Sequence, residues 1–266
     1  MNRPLVCVTL RGRTADEMAS DAAVAKAAGA DAIEARLDHL WTIEHPVQAN
    51  PRSDTRGNGD GAGIEVEVRQ LDLDAVDLGP ALSTIVEATN LPMVIACRPE
   101  RQGGYYPGNE DQRIEVLRAA IACGPRWIDL ESDIAKPIRD ELVGLTGDST
   151  GIIASMHSIE RTPSSSAIAQ DIEDNHDLGD IIKACYPTRN RAESLRIFEA
   201  AWELRDSGIN TALMGLGPGG DWARIHAPLL DQFMVYTTTE SGWHLAQQGR
   251  INASDLQTAW SLLEYA

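Results

Sequence analysis

The chain has 266 residues, a formal net charge of -17 at neutral pH, a pI near 4.7 and 43% hydrophobic residues. So acidic a balance repels phosphate backbones and argues against nucleic-acid binding. No apolar run approaches the ~20 residues that cross a bilayer, and no leader-like segment precedes the first strand-like run, so a cytoplasmic protein without a membrane association is expected.

Taken in chain order, short β-rich runs occupy residues 5–10, 31–37, 93–97, 127–130, 152–156, 180–184, 211–214 and 232–236. Amphipathic stretches at helical spacing fall between and after them, including 15–28, 111–123, 192–205 and 253–264. Strands alternating with helices are the signature of βα units on a parallel sheet. Eight such runs in this length predict an α/β fold, a single-domain (β/α)8 TIM barrel spanning residues 1–266. A doubly wound open sheet is the competing architecture, but Thr9-Leu10-Arg11-Gly12-Arg13 follows the first run where that fold places its GxGxxG turn. Residues 45–60 are rich in Pro, Asn, Gly, Asp and Arg and read as a solvated surface insertion. In a barrel, the turn-rich segments 103–110 and 240–249 lie on the C-terminal face, where loops build active sites.

Basic residues are strongly biased to arginine, since Lys26, Lys136 and Lys183 are the only lysines. Together with the acidic balance this suggests a protein that works in high salt, with compositional drift as the alternative. Cys7, Cys97, Cys123 and Cys185 show no CxxC pairing and sit in apolar segments, as expected of buried thiols in a reducing compartment.

A barrel strand is buried on both faces, so an ionisable group inside one needs a partner or a task. The second run places Glu34, Arg36 and Asp38 on one face by the period of two, and the third ends in Arg98. The fourth ends in Glu131, the fifth in His157, and the sixth carries Lys183 between isoleucines and an Ala-Cys pair; Arg224 follows a Gly-rich turn after the seventh. Each has a bland reading: Glu34 with Arg36 as a structural ion pair, His157 as a satisfied core histidine, Arg98 and Arg224 as loop ties, and Glu131 as a structural carboxylate rather than a supporting partner for the arginines or lysine. Lys183 resists such a reading. A chain that otherwise avoids lysine retains one in a central strand, and an amine can form a Schiff base where a guanidinium, always protonated, cannot. Neighbouring arginines are expected to favour the free amine and to hold an anionic small-molecule substrate, with His157 as proton shuttle. His226 and His244 lack ligand spacing, so no metal is expected.

These residues resemble the type I 3-dehydroquinases. The resemblance rests on Glu34-Ala35-Arg36-Leu37-Asp38, on Cys97-Arg98 with Gly103-Gly104, and on Ser155-Met156-His157 ahead of Thr162-Pro163. It continues through Gly179-Asp180-Ile181-Ile182-Lys183 and Met214-Gly215 leading to Ala223-Arg224. It implies a cofactor-free lyase that converts 3-dehydroquinate to 3-dehydroshikimate and water. Lys183 would condense with the C3 ketone, and His157 would move the protons. Arg224 would hold the carboxylate, while Glu34, Arg36 and Arg98 position the ring hydroxyls. Barrels of this family often form homodimers, an assembly no residue pattern here specifies. The chain departs from the family pattern at Gln102, where glutamate is usual, and at Ser158, where aspartate is common. It departs again at Ala246-Gln247-Gln248-Gly249-Arg250, where the family has S-A-P-G-Q; Gln248 and Arg250 are the candidates to cover the substrate. Those departures keep open a related Schiff-base lyase or aldolase on another polyhydroxylated carboxylate, or a non-catalytic ligand-binding relative.

Overall fold

A computed structural model describes residues 3–47 and 65–265. The strands are numbered in chain order; apart from a ribbon of β3 (Thr42–Val47) and β4 (Glu65–Gln70), those of the barrel are β1 (Leu5–Thr9), β2 (Ala32–Arg36), β5 (Met93–Ala96) and β6 (Trp127–Glu131), followed by β7 (Gly151–His157), β8 (Ile181–Pro187), β9 (Thr211–Leu216) and β10 (Met234–Thr237). They are parallel and succeed one another round an eight-stranded sheet, with β10 returning to pair with β1. Each strand-like run of the sequence falls on one of them. Between β9 and β10 no ladder forms, and the seam is held by the Phe233 amide donating to the Thr211 carbonyl at 2.9 Å. The buried Gln232 side chain does the rest, accepting from the Leu213 amide at 2.7 Å and donating to the Thr211 hydroxyl at 2.9 Å.

The outer layer comprises α1 (Ala15–Ala27), α2 (Leu78–Glu87), α3 (Glu110–Ala122), α4 (Lys136–Thr146), α5 (Ser165–Asp174), α6 (Arg191–Leu204) and α9 (Ala253–Leu262), with the short α7 (Trp222–Ile225) and α8 (His244–Gln247) over the last loops. Local chemistry sets several starts. Thr14 with Glu17, and Asn109 with Gln112, form reciprocal capping boxes that satisfy the first amides of α1 and α3. No helix among the described residues is long and apolar enough to cross a membrane.

The ribbon is the main departure from expectation. Thr42–Val47 (β3) and Glu65–Gln70 (β4) pair antiparallel, so the solvated segment expected at 45–60 begins inside a strand. Its residues 48–60 lie outside the described structure. The β-branched residues Thr42, Ile43, Val66 and Val68 carry the strand signal, which Pro46 and the Gly-rich stretch beyond it obscure. Trp41 anchors the ribbon's base, edge-on to Tyr106 with centroids 5.0 Å apart and donating to the Leu73 carbonyl. The second correction concerns Asp38. The strand stops at Arg36 and residues Leu37–Trp41 turn in a 3₁₀ helix, so Asp38 curls back beneath Arg36 rather than continuing the alternation.

Candidate active site

The period of two sorts the strand residues into layers. One apolar cluster, inside the barrel, gathers Ala32, Val94, Trp127, Ile153, Ile181, Ala212 and Met234. Two steps along their strands stand Glu34, Asp129, Ser155, Lys183, Met214 and Tyr236, and a further step brings Arg36, Glu131, His157, Cys185 and Leu216. The barrel interior therefore changes from apolar to charged toward the C-terminal ends. The β7–β8 register sets Ser155 against Lys183 and His157 against Cys185, which places the imidazole one layer above the amine.

Lys183 is 4% exposed and donates to Glu34 at 2.7 Å and to Asp129 at 3.1 Å. Glu34 also accepts from the Thr9 hydroxyl at 2.9 Å. Its burial opposes ionisation, but Lys183 and Arg36 hold its carboxyl below the ordinary value. Asp129, opposed by burial in the same way, is held well below the usual carboxylate range by Arg98 and Lys183. Arg98 is 1% exposed and donates to both oxygens of Asp129, to Glu131 and to Ser155. Arg113 pairs with the other oxygen of Glu131 at 2.7 Å. The cations Lys183, Arg36, Arg98 and Arg113 thus face the anions Glu34, Asp38, Asp129 and Glu131 one for one, the condition under which buried charge is tolerated.

This geometry revises two expectations. The charged atoms nearest the Lys183 amine are carboxylate oxygens, not guanidiniums, because Arg98 is turned toward Asp129 and Glu131. Arg98 and Glu131 do not line the cavity at the mouth; their side chains are spent on each other, on Asp129 and on Arg113. Gly104 lets the loop after β5 pack against Arg98, since a Cβ there would stand 2.0 Å from the Arg98 carbonyl oxygen.

His157 sits at the end of β7, and Gln102 holds it. The Gln102 Oε1 accepts from the His157 backbone amide at 3.2 Å and lies 3.1 Å from Nδ1. The backbone N–H identifies that atom as the amide oxygen, so Nδ1 carries the proton and Nε2 is left as the basic nitrogen. Burial, then the charges of Arg98 and Lys183, push the imidazole well below its ordinary value, keeping it neutral. The acid limb of kcat should consequently lie below pH 6.5, the value of a free histidine. Gln102→Glu should move it upward, because a carboxylate at that distance favours the imidazolium. A pH–rate profile of both proteins checks this; a parent limb at or above 6.5, or no movement in the variant, would contradict the assignment.

Above the amine, a cavity of about 210 Å³ is lined by Thr9, Glu34, Arg36, His157, Lys183 and Arg224, among others. It is smaller than the ~300–1,000 Å³ of drug-sized pockets and suits a compact polar acid. Arg36 turns Nε and Nη2 to Asp38, both at 2.8 Å. Asp38 in turn accepts from the amides of Arg98 and Tyr105, pinning the loop after β5. Arg224 is buried and spends Nε and Nη1 on the carbonyls of Tyr236, Gly215, Gly220 and Gly249. It forms no ion pair among the described residues, and burial pushes it down to about 10. A buried guanidinium without a counter-ion that also lines a cavity is suited to receive an anion there. Arg250 also lines the cavity, tied to Glu240 at 2.8 Å, and Glu240 is bridged in turn to Arg11. Gln248 does not line it: its exposed side chain lies on the outer side of the lid, 3.3 Å from Arg250. Gly249 makes that lid possible, with φ +68 and no room for a Cβ beside the Gly217 carbonyl.

A larger groove of about 770 Å³ lies between the β1–α1 loop and the ribbon. Most of its charged residues are already engaged, Arg13 with Glu44 and Asp21 with the amides of Arg11 and Gly12, and no amine–imidazole pair faces it. Volume does not locate the chemistry here. Sequence reasoning missed Asp129, Ser155, Thr9 and Tyr236 as members of the site. The period of two pointed to the first two, since Asp129 precedes Glu131 by one strand repeat and Ser155 precedes His157 by one.

A (β/α)8 barrel whose mouth sets a buried amine beside a neutral imidazole, with an unpaired guanidinium above them, defines a barrel enzyme of the lysine-amine class. Comparison with known proteins narrows the class to a family. The family model of the type I 3-dehydroquinases matches residues 6–265, and the chain belongs to that family. It is 26% identical over 260 residues to the 3-dehydroquinate dehydratase of Methanopyrus kandleri, covering 97% of this chain and 100% of that one. It is also 26% identical to that of Methanothermobacter thermautotrophicus, over 89% of this chain and 88% of the relative. In fold it is similar to the crystal structure of the type I 3-dehydroquinate dehydratase of Clostridium difficile, with TM-score 0.78, 18% identity and coverage of 100% and 94%. The Geobacillus kaustophilus enzyme gives 0.76 and 19% over 99% and 92% of the two chains.

Proposed function

We propose that the chain dehydrates 3-dehydroquinate to 3-dehydroshikimate through an imine on Lys183, as a cytoplasmic hydro-lyase without a cofactor. The observation that carries the reading is the amine held by Glu34 and Asp129 one layer below a neutral His157. The amine gives up a proton to the carboxylates around it, and Nζ attacks the C3 carbonyl carbon. The carboxylate-held proton passes to the resulting alkoxide, Nε2 of His157 takes a second proton from the nitrogen, and returning that proton to the carbinolamine hydroxyl lets the oxygen leave as water. The resulting iminium acidifies C2. His157 removes that proton, the electron pair passes into the enamine, and the C1 hydroxyl leaves as water when the same imidazole returns the proton. Hydrolysis of the product imine frees the lysine.

Arg224 binds the substrate carboxylate, its buried charge being without an anion until the substrate arrives. Arg36 and Glu34 face the ring hydroxyls from the β2 side, and Arg250 covers the mouth from the lid. Arg98 takes another role: it holds Asp129 and Glu131 and does not line the cavity. The four cysteines are free thiols, in keeping with a reducing compartment.

The test is reductive trapping. The protein is incubated with 3-dehydroquinate and borohydride, and the adduct is located by peptide mass spectrometry while a parallel sample is followed at the enone absorbance of the product. The expected result is turnover in one sample and a reduced adduct on Lys183 in the other. Turnover that resists borohydride and leaves the lysine unlabelled would overturn the mechanism, and an adduct without enone would move the substrate to another hydroxylated keto acid.

A further inference from the structure

One inward-facing residue at the site has no part in the proton transfers. Tyr236, on β10, is buried and lines the cavity, and its ring centroid lies 3.9 Å from the Lys183 Nζ. Its hydroxyl is buried and without a hydrogen-bond partner among the described residues. Burying an unsatisfied hydroxyl is unfavourable, so the hydroxyl does not explain why an aromatic side chain stands here. The ring face does, because an electron-rich π surface attracts a cation held over it.

We infer that the face of Tyr236 stabilises the positive charge on Nζ through imine formation, and so acts as a catalytic group for the reaction proposed above, on which this inference rests. The ammonium has three N–H groups, of which Glu34 and Asp129 take two. When the amine and the ketone lose one water to form C=N⁺–H, a single N–H remains and at most one carboxylate bond survives. The ring requires no N–H. It can face the nitrogen before and after the C–N bond forms, and it is the neighbour whose contact the chemistry need not break. The neutral enamine gains nothing from it, so the benefit falls on reaching the iminium.

A fluorination series separates this role from shape. Tyr236→Phe removes the unpartnered hydroxyl and should form the borohydride adduct within about twofold of the parent rate, since the π face is kept. Replacing that phenylalanine with mono-, di-, tri- and pentafluorinated analogues weakens the face stepwise at nearly constant size. The logarithm of the adduct-formation rate should fall steadily along the series, by roughly 2- to 30-fold in total, while affinity for the product carboxylate at Arg224 stays level. A flat series in a protein that still forms the adduct would overturn the inference. Loss of the adduct in Tyr236→Phe alone would also overturn it, because the hydroxyl would then be the active part. A parent protein that forms no adduct at all would instead overturn the imine reading itself.

Discussion

Lys183→Ala should lose turnover of 3-dehydroquinate by on the order of 10⁵-fold or more, about 7 kcal/mol of barrier. The size follows from what is removed. Without the amine no iminium forms, the C2 proton keeps the acidity of an ordinary ketone, and His157 alone supplies the ~10²–10⁴-fold typical of a positioned base. The variant should still fold, because Asp129 keeps its bidentate pair with Arg98 and Glu34 keeps the Thr9 hydroxyl. Steady-state kinetics, circular dichroism and ligand binding together make the check. Product should still bind through Arg224, so binding without turnover or adduct is the expected pattern. A loss smaller than about 100-fold in a folded protein would mean that the elimination does not pass through Lys183.

The second large effect is on stability. Arg98→Met is expected to lower the unfolding free energy by about 3–5 kcal/mol, because it leaves Asp129 and Glu131 buried with half of their counter-charge. For a chain of this length that is a large part of the usual ~5–15 kcal/mol margin. Urea unfolding reads it as a lower midpoint at unchanged slope. The pH dependence gives the origin. Arg98 holds Asp129 below its unfolded value near 3.9, so its contribution is fully present above that value and disappears as pH falls toward the depressed one. The gap between parent and variant should therefore be widest near neutrality and should narrow below about pH 4. Adding Asp129→Asn to the variant should restore part of the loss. A gap that ignores pH would assign the effect to packing instead.

Much of this protein can be read from spacing. The eight barrel strands recur as β-rich runs, and Lys183 is conspicuous as an amine between apolar neighbours in a lysine-poor chain. Glu34 and Arg36 are visible through the period of two, and His157 by its place at a strand end. The β3–β4 ribbon was not legible because the Gly- and Pro-rich residues beside it dominate the local composition. Arg98 was legible as a residue and not as a role: its place at the end of β5 does not say whether its long side chain reaches up to a ligand or across to β6. Gln248 and Arg250 share a loop, and only the turn at Gly249 decides that one side chain faces out and the other lines the cavity.

The sequence by itself determined the barrel, the mouth at which the charged residues gather, and the amine. These depend on periodicity and on residue chemistry, which are local properties of the chain. The tertiary structure decided who pairs with whom. Whether Lys183 meets guanidiniums or carboxylates, whether His157 has its proton on Nδ1, and whether Arg224 meets an anion all depend on side chains from strands far apart in sequence, brought within ~3 Å where each bond taken by one partner is denied to another.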